Sequence, residues 1–86
     1  MTVRFHNLSA YKAFAVSFLA RKLGETSDEK TKALLNELIQ RIDLLRTRDF
    51  YRFLRRILEI QEQTGMDLSE IIPTTEEVQQ IMQYPA

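Results

Sequence analysis

The chain has 86 residues, of which 44% are hydrophobic and 28% are charged, and its twelve basic residues balance its twelve acidic ones. This composition is typical of a folded globular protein, and the length allows one domain with a small core. The absence of cysteine excludes disulfides, thiolate catalysis and cysteine-based metal sites. The sequence shows neither a secretion signal nor an apolar run long enough to span a bilayer, so we expect a cytoplasmic protein.

The first predicted helix spans residues 10–23, with Ser9 as its N-cap and Gly24 in the left-handed position after its last turn. This segment is apolar on nearly every face. Its polar residues are Lys12, Ser17, Arg21 and Lys22. Such a helix lies either in the centre of the fold or under another subunit, and the sequence favours burial in the core.

A capping box formed by Thr26 and Glu29 is predicted to open a second helix. Its core-facing positions follow the 3–4–3 spacing and are Leu35, Leu38, Ile42 and Leu45, flanked by Leu34 and Ile39. Residues 24–65 contain glycine only at their two ends and no proline, so one helix of nearly forty residues is conceivable.

The apolar phase argues against that single helix. A second stripe consists of Phe50, Phe53, Ile57 and Ile60. It begins five residues after Leu45, where a continuing stripe would begin after three or four. This slip predicts a break near residues 46–49, with Thr47 or Asp49 as the new N-cap.

The C-terminal part is predicted to contain one short turn and one more helix. Gly65 ends the third helix, Asp67 caps a turn through Ile72, and Pro73 ends that turn. Thr74 caps the last helix with Glu77 at its third position, and Val78, Ile81 and Met82 are expected to face inward. The predicted fold is all-α: a single domain over 1–86, a small four-helix bundle with an additional short helical turn, and flexible tails at 1–8 and 84–86.

Catalysis and metal binding have little support in the sequence. His6 is the only histidine, and no acidic residue stands near it at a metal-ligand spacing. The serines lack a histidine base, and no glycine-rich loop could hold a phosphate. We therefore predict a protein that is not an enzyme and that uses no catalytic residue, metal or cofactor.

The charge is distributed in blocks. Half of the cations fall in residues 41–56, RIDLLRTRDFYRFLRR, where the local charge is +4. Residues 1–24 also carry +4, whereas residues 57–86 contain six acids and no base. This asymmetry suggests a polar partner or head-to-tail self-association.

A helical projection of the arginine-rich segment separates its charged and apolar residues. At 100° per residue, the arginines at 41, 48, 52, 55 and 56 fall within an arc of about 100°, and the apolar stripe lies opposite. These residues are Arg41, Arg48, Arg52, Arg55 and Arg56. Tyr51 lies at the edge of the arc and could stack on a partner, Arg46 points elsewhere, and Arg41 belongs only if the helix is continuous.

Two interpretations of this basic face stay open. It could be a solvated surface that acids elsewhere in the bundle balance. It could also bind a nucleic-acid backbone, because arginine guanidinium groups match phosphate oxygens and the flanking tyrosine could stack on bases. The net neutrality of the chain is unusual for an independent nucleic-acid binder and favours one subunit of a larger assembly.

The chain resembles the small helical subunit of type I CRISPR surveillance (Cascade) complexes, which serve in antiviral defence. The resemblance rests on its length, its all-α pattern and the run FYRFLRRILEIQEQTG at 50–65. It implies a bundle without catalysis that stacks with other protein subunits and contacts DNA through basic side chains. It assigns Arg48, Arg52, Arg55 and Arg56 to phosphate, and Lys12, Arg21 and Lys22 to a second cationic patch.

The resulting hypothesis is a non-catalytic subunit of a ribonucleoprotein complex that contacts a nucleic-acid backbone without reading base sequence. The expected partners are single-stranded DNA or an RNA–DNA hybrid, other protein subunits and copies of the chain itself, with no membrane and no small-molecule substrate. The alternative is a protein–protein adaptor or regulator that oligomerises through the apolar first helix. That alternative predicts that Phe18→Asp abolishes association.

Overall fold

A computed structural model describes residues 3–85, which contain helices and no strand. The four helices of this range are α1 (Leu8–Glu25), α2 (Glu29–Asp43), α3 (Phe50–Thr64) and α4 (Thr75–Gln83). Two short 3-10 turns, Thr47–Asp49 and Ser69–Ile71, lie before α3 and before α4. Thr47–Asp49 runs directly into α3, so Ser69–Ile71 is the one separate turn, and the prediction of an all-α, four-helix fold with one additional short turn is confirmed.

Helix α1 begins and ends differently from the prediction. Asn7, not Ser9, is the N-cap, because its Oδ1 accepts a 2.7 Å hydrogen bond from the Ala10 amide. The helix continues through Gly24, and the chain becomes extended only at Thr26. Asparagine and serine cap helices about equally well, so residue type alone does not decide between the two neighbouring candidates.

Helix α1 is buried on one face only. The buried side chains are Leu8, Tyr11, Ala15, Phe18 and Leu19. Tyr11 is the polar member of this set, and its hydroxyl donates a 2.7 Å hydrogen bond to the Ile71 carbonyl in the turn before α4. The opposite face, which is Ala10, Ala13, Phe14, Ser17 and Ala20, is exposed. The expected burial in the core is thus confirmed for one face of the helix.

The predicted capping box at the start of α2 is not formed. Asp28, not Thr26, is the N-cap, and its Oδ2 accepts from the Thr31 amide at 2.9 Å and from the Thr31 hydroxyl at 2.7 Å. These hydrogen bonds lower the pKa of Asp28. The predicted core stripe is confirmed, since its four members are buried: Leu35, Leu38, Ile42 and Leu45.

The predicted break between α2 and α3 is confirmed. Helix α2 ends at Asp43, and α3 begins only after the turn at Thr47–Asp49. Asp49 occupies the N-cap position of α3, but its carboxylate bonds to Arg52 rather than to a backbone amide. The break brings the second apolar stripe into the core, where Phe50, Phe53, Ile57 and Ile60 are buried.

The C-terminal elements largely follow the prediction. Gly65 ends α3 with φ of 72°, a left-handed conformation that glycine adopts without steric cost. Thr74 and Glu77 form the predicted capping box of α4. Ile81 is buried and Val78 packs against the core, but Met82, which we expected to face inward, is exposed.

Much of the two predicted tails packs on the bundle. The Phe5 ring is buried, with its edge against Tyr11 at a centroid distance of 5.2 Å. The Leu8 amide donates a 3.0 Å hydrogen bond to the Tyr84 carbonyl, which joins the two ends of the described chain. Residues 1, 2 and 86 of the predicted tails lie outside the described range.

Candidate nucleic-acid interface

Arg56 is partly buried, and two carboxylates hold its guanidinium group. Its Nε and Nη2 donate to the Glu37 carboxylate of α2 at 2.6 and 2.8 Å, and its Nη1 donates to Glu59 at 3.2 Å. Hydrogen bonding to Glu37 and Glu59 raises the pKa of Arg56, and the same contact lowers the pKa of Glu37. Only 24% of the Arg56 side chain is exposed, so this predicted phosphate ligand acts as a link between α2 and α3.

Two further arginines of the segment have acidic partners but stay accessible. Arg41 lies 3.4 Å from Glu37 and Arg52 lies 3.0 Å from Asp49, and the Arg52 side chain is 72% exposed. Exposed pairs of this kind contribute about 0–1 kcal/mol to stability. A phosphate could therefore replace the carboxylate at little cost.

Five of the twelve basic residues have no ion pair within residues 3–85. They are Lys12, Lys30, Arg46, Arg48 and Arg55. Three of these five, Lys12, Arg46 and Arg48, line one open cleft of about 430 Å³. Cations without partners therefore converge at the break between α2 and α3, where α1 passes beside it.

The backbone of the break holds this cleft in place. The remaining lining residues are Asp43, Leu44, Leu45 and Asp49. Lys12 reaches the break from α1, and its Nζ donates a 3.2 Å hydrogen bond to the Leu45 carbonyl. That contact uses one of the three ammonium donors and leaves two for a ligand.

An adjoining cleft of about 230 Å³ shares three of these residues and adds two more arginines. Its lining consists of Arg41, Leu44, Leu45, Asp49, Arg52 and Phe53. We call the two clefts together the junction surface. Its cations are Lys12, Arg41, Arg46, Arg48 and Arg52, and its acids are Asp43 and Asp49. The surface therefore carries a formal charge of +3 within a protein whose net charge is zero.

The predicted second cationic patch is not formed. Lys12 belongs to the junction surface, whereas Arg21 and Lys22 lie nine and ten residues further along α1, about 14 Å away along the helix axis. Arg21 is 3.7 Å from Glu70, and Lys22 is 3.8 Å from Glu25. Both cations also lie 5.5 Å from the centre of the Phe18 ring.

Tyr51 and Arg55 lie on the exposed side of α3. Tyr51 is 62% exposed and lies four residues before Arg55, which places these two residues on one side of α3. Arg48 lies before α3, in the turn Thr47–Asp49. Arg55 does not line either cleft and extends the cationic surface along the helix.

Arg46 is the residue that the helical projection left out. The projection treated residues 41–56 as one helix, and in that geometry Arg46 pointed away from the other arginines. In the structure Arg46 has an extended backbone, with φ of −123° and ψ of 164°, and it lines the larger cleft. The phase slip that predicted the break was also the signal that a helical projection does not apply across it.

Four of the six acids after residue 56 contact groups of the same chain, and only Glu77 of these is buried. Glu59 pairs with Arg56, Glu70 with Arg21, and Glu77 with Arg4. Asp67 accepts a hydrogen bond from the Ser69 amide at 3.0 Å. Intramolecular contacts therefore account for most of an acidic block that, from the sequence, suggested docking onto another subunit.

Comparison with protein-family models, curated proteins and solved structures gives no match to this chain. Within the described residues, no group of three histidine, cysteine or acidic side chains could hold a metal ion. None of the helices in this range combines the length and apolar character needed to cross a membrane.

Proposed function

We propose that the protein is a non-catalytic helical subunit that binds the sugar-phosphate backbone of a nucleic acid through the junction surface. The observation that carries the proposal is the convergence of Lys12, Arg46 and Arg48, none of them ion-paired within residues 3–85, in one open cleft. Asp43 and Asp49 line the same cleft and offset part of the repulsion between these cations, and an external polyanion would offset the remainder. Guanidinium and ammonium groups both donate charge-assisted hydrogen bonds to phosphate oxygens, so the cations of this cleft suit a sugar-phosphate backbone.

The low net charge of the chain supports a subunit rather than an independent binder. Electrostatic binding of nucleic acid usually draws on a strongly basic domain, and this domain is neutral. In an assembly, neighbouring subunits supply part of the attraction and each copy needs only a few phosphate contacts. We propose an assembly of the Cascade type, whose small helical subunit the chain resembles in length and helical pattern.

The proposal is tested by titrating a fluorescent single-stranded oligonucleotide with the protein at several salt concentrations. Contact with about four phosphates predicts that log K falls with log salt at a slope of roughly −3. The double variant Arg46→Glu/Arg48→Glu should abolish binding. The control is Lys30→Glu/Lys32→Glu, which changes the net charge equally near the start of α2 and should retain binding.

Loss of binding in both double variants would show that net charge, and not the junction surface, is responsible. Absence of binding at low salt for the unmodified protein would contradict the proposal.

A second function, a protein–protein adaptor, is favoured by the exposed face of α1. Phe14 is 39% exposed there among alanines and a serine. Phe18→Asp does not test this function, because Phe18 is buried in the core and a carboxylate there would unfold the domain. Because Phe14 also packs against the buried Phe5 ring at a centroid distance of 5.1 Å, Ala13→Asp on the same exposed face is the suitable variant. It should dissociate an oligomer seen by light scattering, whereas a monomeric unmodified protein would contradict the adaptor function.

A further inference from the structure

We infer, on the basis of the proposed function, that the nucleic acid at the junction surface is single-stranded and that its bases contact Tyr51 and Leu44. Among the large apolar side chains that the structure describes, these two are the most exposed, at 62% and 80%. Leu44 lines both clefts. Tyr51 lies outside the two clefts in the first turn of α3, directly before Arg52 of the smaller cleft and four residues before Arg55 on the same helix face.

Both side chains could contact a partner without rearrangement. In residues 3–85, neither another aromatic ring nor a cation stacks on Tyr51. Leu44 follows the last turn of α2, and its amide is already bonded to the Arg41 carbonyl at 3.2 Å. The backbone under Leu44 is therefore fixed while its side chain is in solvent.

The combination of cations with exposed apolar groups distinguishes single strands from duplexes. A duplex or an RNA–DNA hybrid presents phosphates outward and keeps the faces of its bases stacked inside, so Tyr51 and Leu44 would gain nothing from it. A single strand presents phosphates and base faces together. Stacking of an aromatic side chain on a base needs no particular sequence, which agrees with a surface that lacks asparagine and glutamine for base edges.

The inference is tested with four probes of equal length in the binding assay. They are an oligothymidylate, the same strand with abasic sites in place of bases, a DNA duplex and an RNA–DNA hybrid. The oligothymidylate should bind most tightly. Tyr51→Ala should weaken its binding about tenfold and leave the abasic strand unaffected, while Tyr51→Phe should retain full affinity. Photocrosslinking of a 5-iodouracil strand should give an adduct on Tyr51.

Tyr84→Ala is the matched control, because Tyr84 is also exposed but follows α4, which contains no basic residue. It should leave every affinity unchanged. Circular dichroism checks that each variant keeps its helix content.

The outcomes separate this inference from the proposed function. The unmodified protein could bind the single strand, the abasic strand and the duplex with equal affinity and lose all three in Arg46→Glu/Arg48→Glu. That result would overturn the base contacts but would support the proposed binding to the sugar-phosphate backbone. No affinity for any of the four probes would overturn both. Binding to vesicles of anionic lipid without binding to the probes would also overturn both and would identify the junction as a membrane-surface site.

Discussion

Two cationic regions of this protein differ in whether a carboxylate holds their arginines. In the first, Arg4 makes three contacts with Glu77, with its amide at 2.7 Å, its Nε at 3.1 Å and its Nη2 at 3.2 Å. The Glu77 carboxylate is fully buried and also accepts from the Thr74 amide at 2.9 Å. In the second, the junction surface, Arg46 and Arg48 are exposed and have no ion pair in the described chain.

The two regions carry the same kind of charge but differ in hydrogen bonding. An arginine whose hydrogen bonds go to a buried carboxylate stabilises the fold, whereas an exposed arginine without such a partner is a candidate for binding a ligand. A buried carboxylate is tolerated only when its oxygens are hydrogen-bonded, so Arg4 and Glu77 depend on each other. The exposed arginines of the junction are hydrated, and their removal leaves no unsatisfied partner. We therefore expect substitutions in the first region to change stability and substitutions in the second to change binding.

Glu77→Ala should have the largest effect on folding. It leaves Arg4 without its partner, removes the reciprocal half of the capping box and opens a gap in the core. We expect the free energy of unfolding to fall by about 3 kcal/mol, measured by urea denaturation. Its neighbour Glu76 is exposed and unpaired within residues 3–85, so Glu76→Ala should change stability by less than about 0.5 kcal/mol. Similar losses of stability in Glu77→Ala and Glu76→Ala would show that the contacts of Glu77 with Arg4 do not stabilise the fold, which contradicts the distinction between the two cationic regions.

The stability of the Arg4–Glu77 region should also depend on pH. Burial alone would raise the pKa of Glu77, but hydrogen bonds from the Arg4 side chain and from the Thr74 and Arg4 amides lower it to about 2. A carboxyl with a lower pKa in the folded state stabilises the fold fully above its unfolded pKa of about 4.3, and this contribution is lost as the pH falls toward 2. The loss should be on the order of 3 kcal/mol.

Urea denaturation at successive pH values between 7 and about 2 measures this dependence. In Glu77→Gln the decrease below about pH 4.5 should be shallower than in the unmodified protein, because that site no longer titrates. An identical acid dependence in the two proteins would show that other carboxylates cause it; Glu37, Asp28 and Asp67, which also have lowered pKa values, are the candidates.

Local patterns in the sequence predicted the positions of the helices well, but they did not predict the contacts between helices. The break before α3 was predictable because a one-residue slip in the apolar stripe is visible along the chain. The N-caps of α1 and α2 were misplaced by two residues each, because Asn7 competes with Ser9 and Asp28 with Thr26. Asparagine and serine cap about equally well, so residue type does not rank Asn7 and Ser9. Aspartate is preferred over threonine, but the capping-box pattern of Thr26 and Glu29 outweighed that preference in the prediction.

The packing of the N-terminal segment was not predictable, because a single aromatic residue has no periodicity. Phe5 becomes part of the core only through the rings of Tyr11 and Phe14. Arg4 and Glu77 are separated by 73 residues, and no local pattern joins them. The segment therefore looked like a tail.

The sequence predicted which region would be rich in cations, but not which of its cations would lie together at the candidate site. The density of arginines in residues 41–56 indicated the region. The contact of Arg56 with Glu37 spans 19 residues, and the contact of Lys12 with Leu45 spans 33. Tertiary packing therefore pairs Arg56 with Glu37, brings Lys12 of the predicted second patch to the break, and places Arg46 beside it.

Arg55 and Arg56 are adjacent in α3 and provide the same comparison between an arginine without an ion pair in the described range and one held by carboxylates. Arg56→Ala leaves Glu37 with only the 3.4 Å contact to Arg41, and we expect a loss of about 1 kcal/mol in the free energy of unfolding. Arg55→Ala removes an exposed side chain without an ion pair in the described range and should stay within about 0.5 kcal/mol of the unmodified protein. Urea denaturation of both variants provides the measurement. Equal stabilities would mean that the Arg56–Glu37 pair contributes nothing and that Arg56 is as available to a ligand as Arg55.

The smallest effect on stability, and the most informative for function, is expected at Arg48. Arg48→Ala removes a cation of the larger cleft that no acid within residues 3–85 holds, so the free energy of unfolding should change by less than about 0.5 kcal/mol. The salt slope for single-stranded binding should become less steep by roughly 0.7, the contribution of one phosphate contact. Lys30→Ala, an equal loss of charge outside the junction, should leave the slope unchanged. If Arg48→Ala instead destabilised the fold as strongly as Arg56→Ala, Arg48 would be a structural residue. The proposed function requires junction cations that the fold does not need, so this result would contradict it.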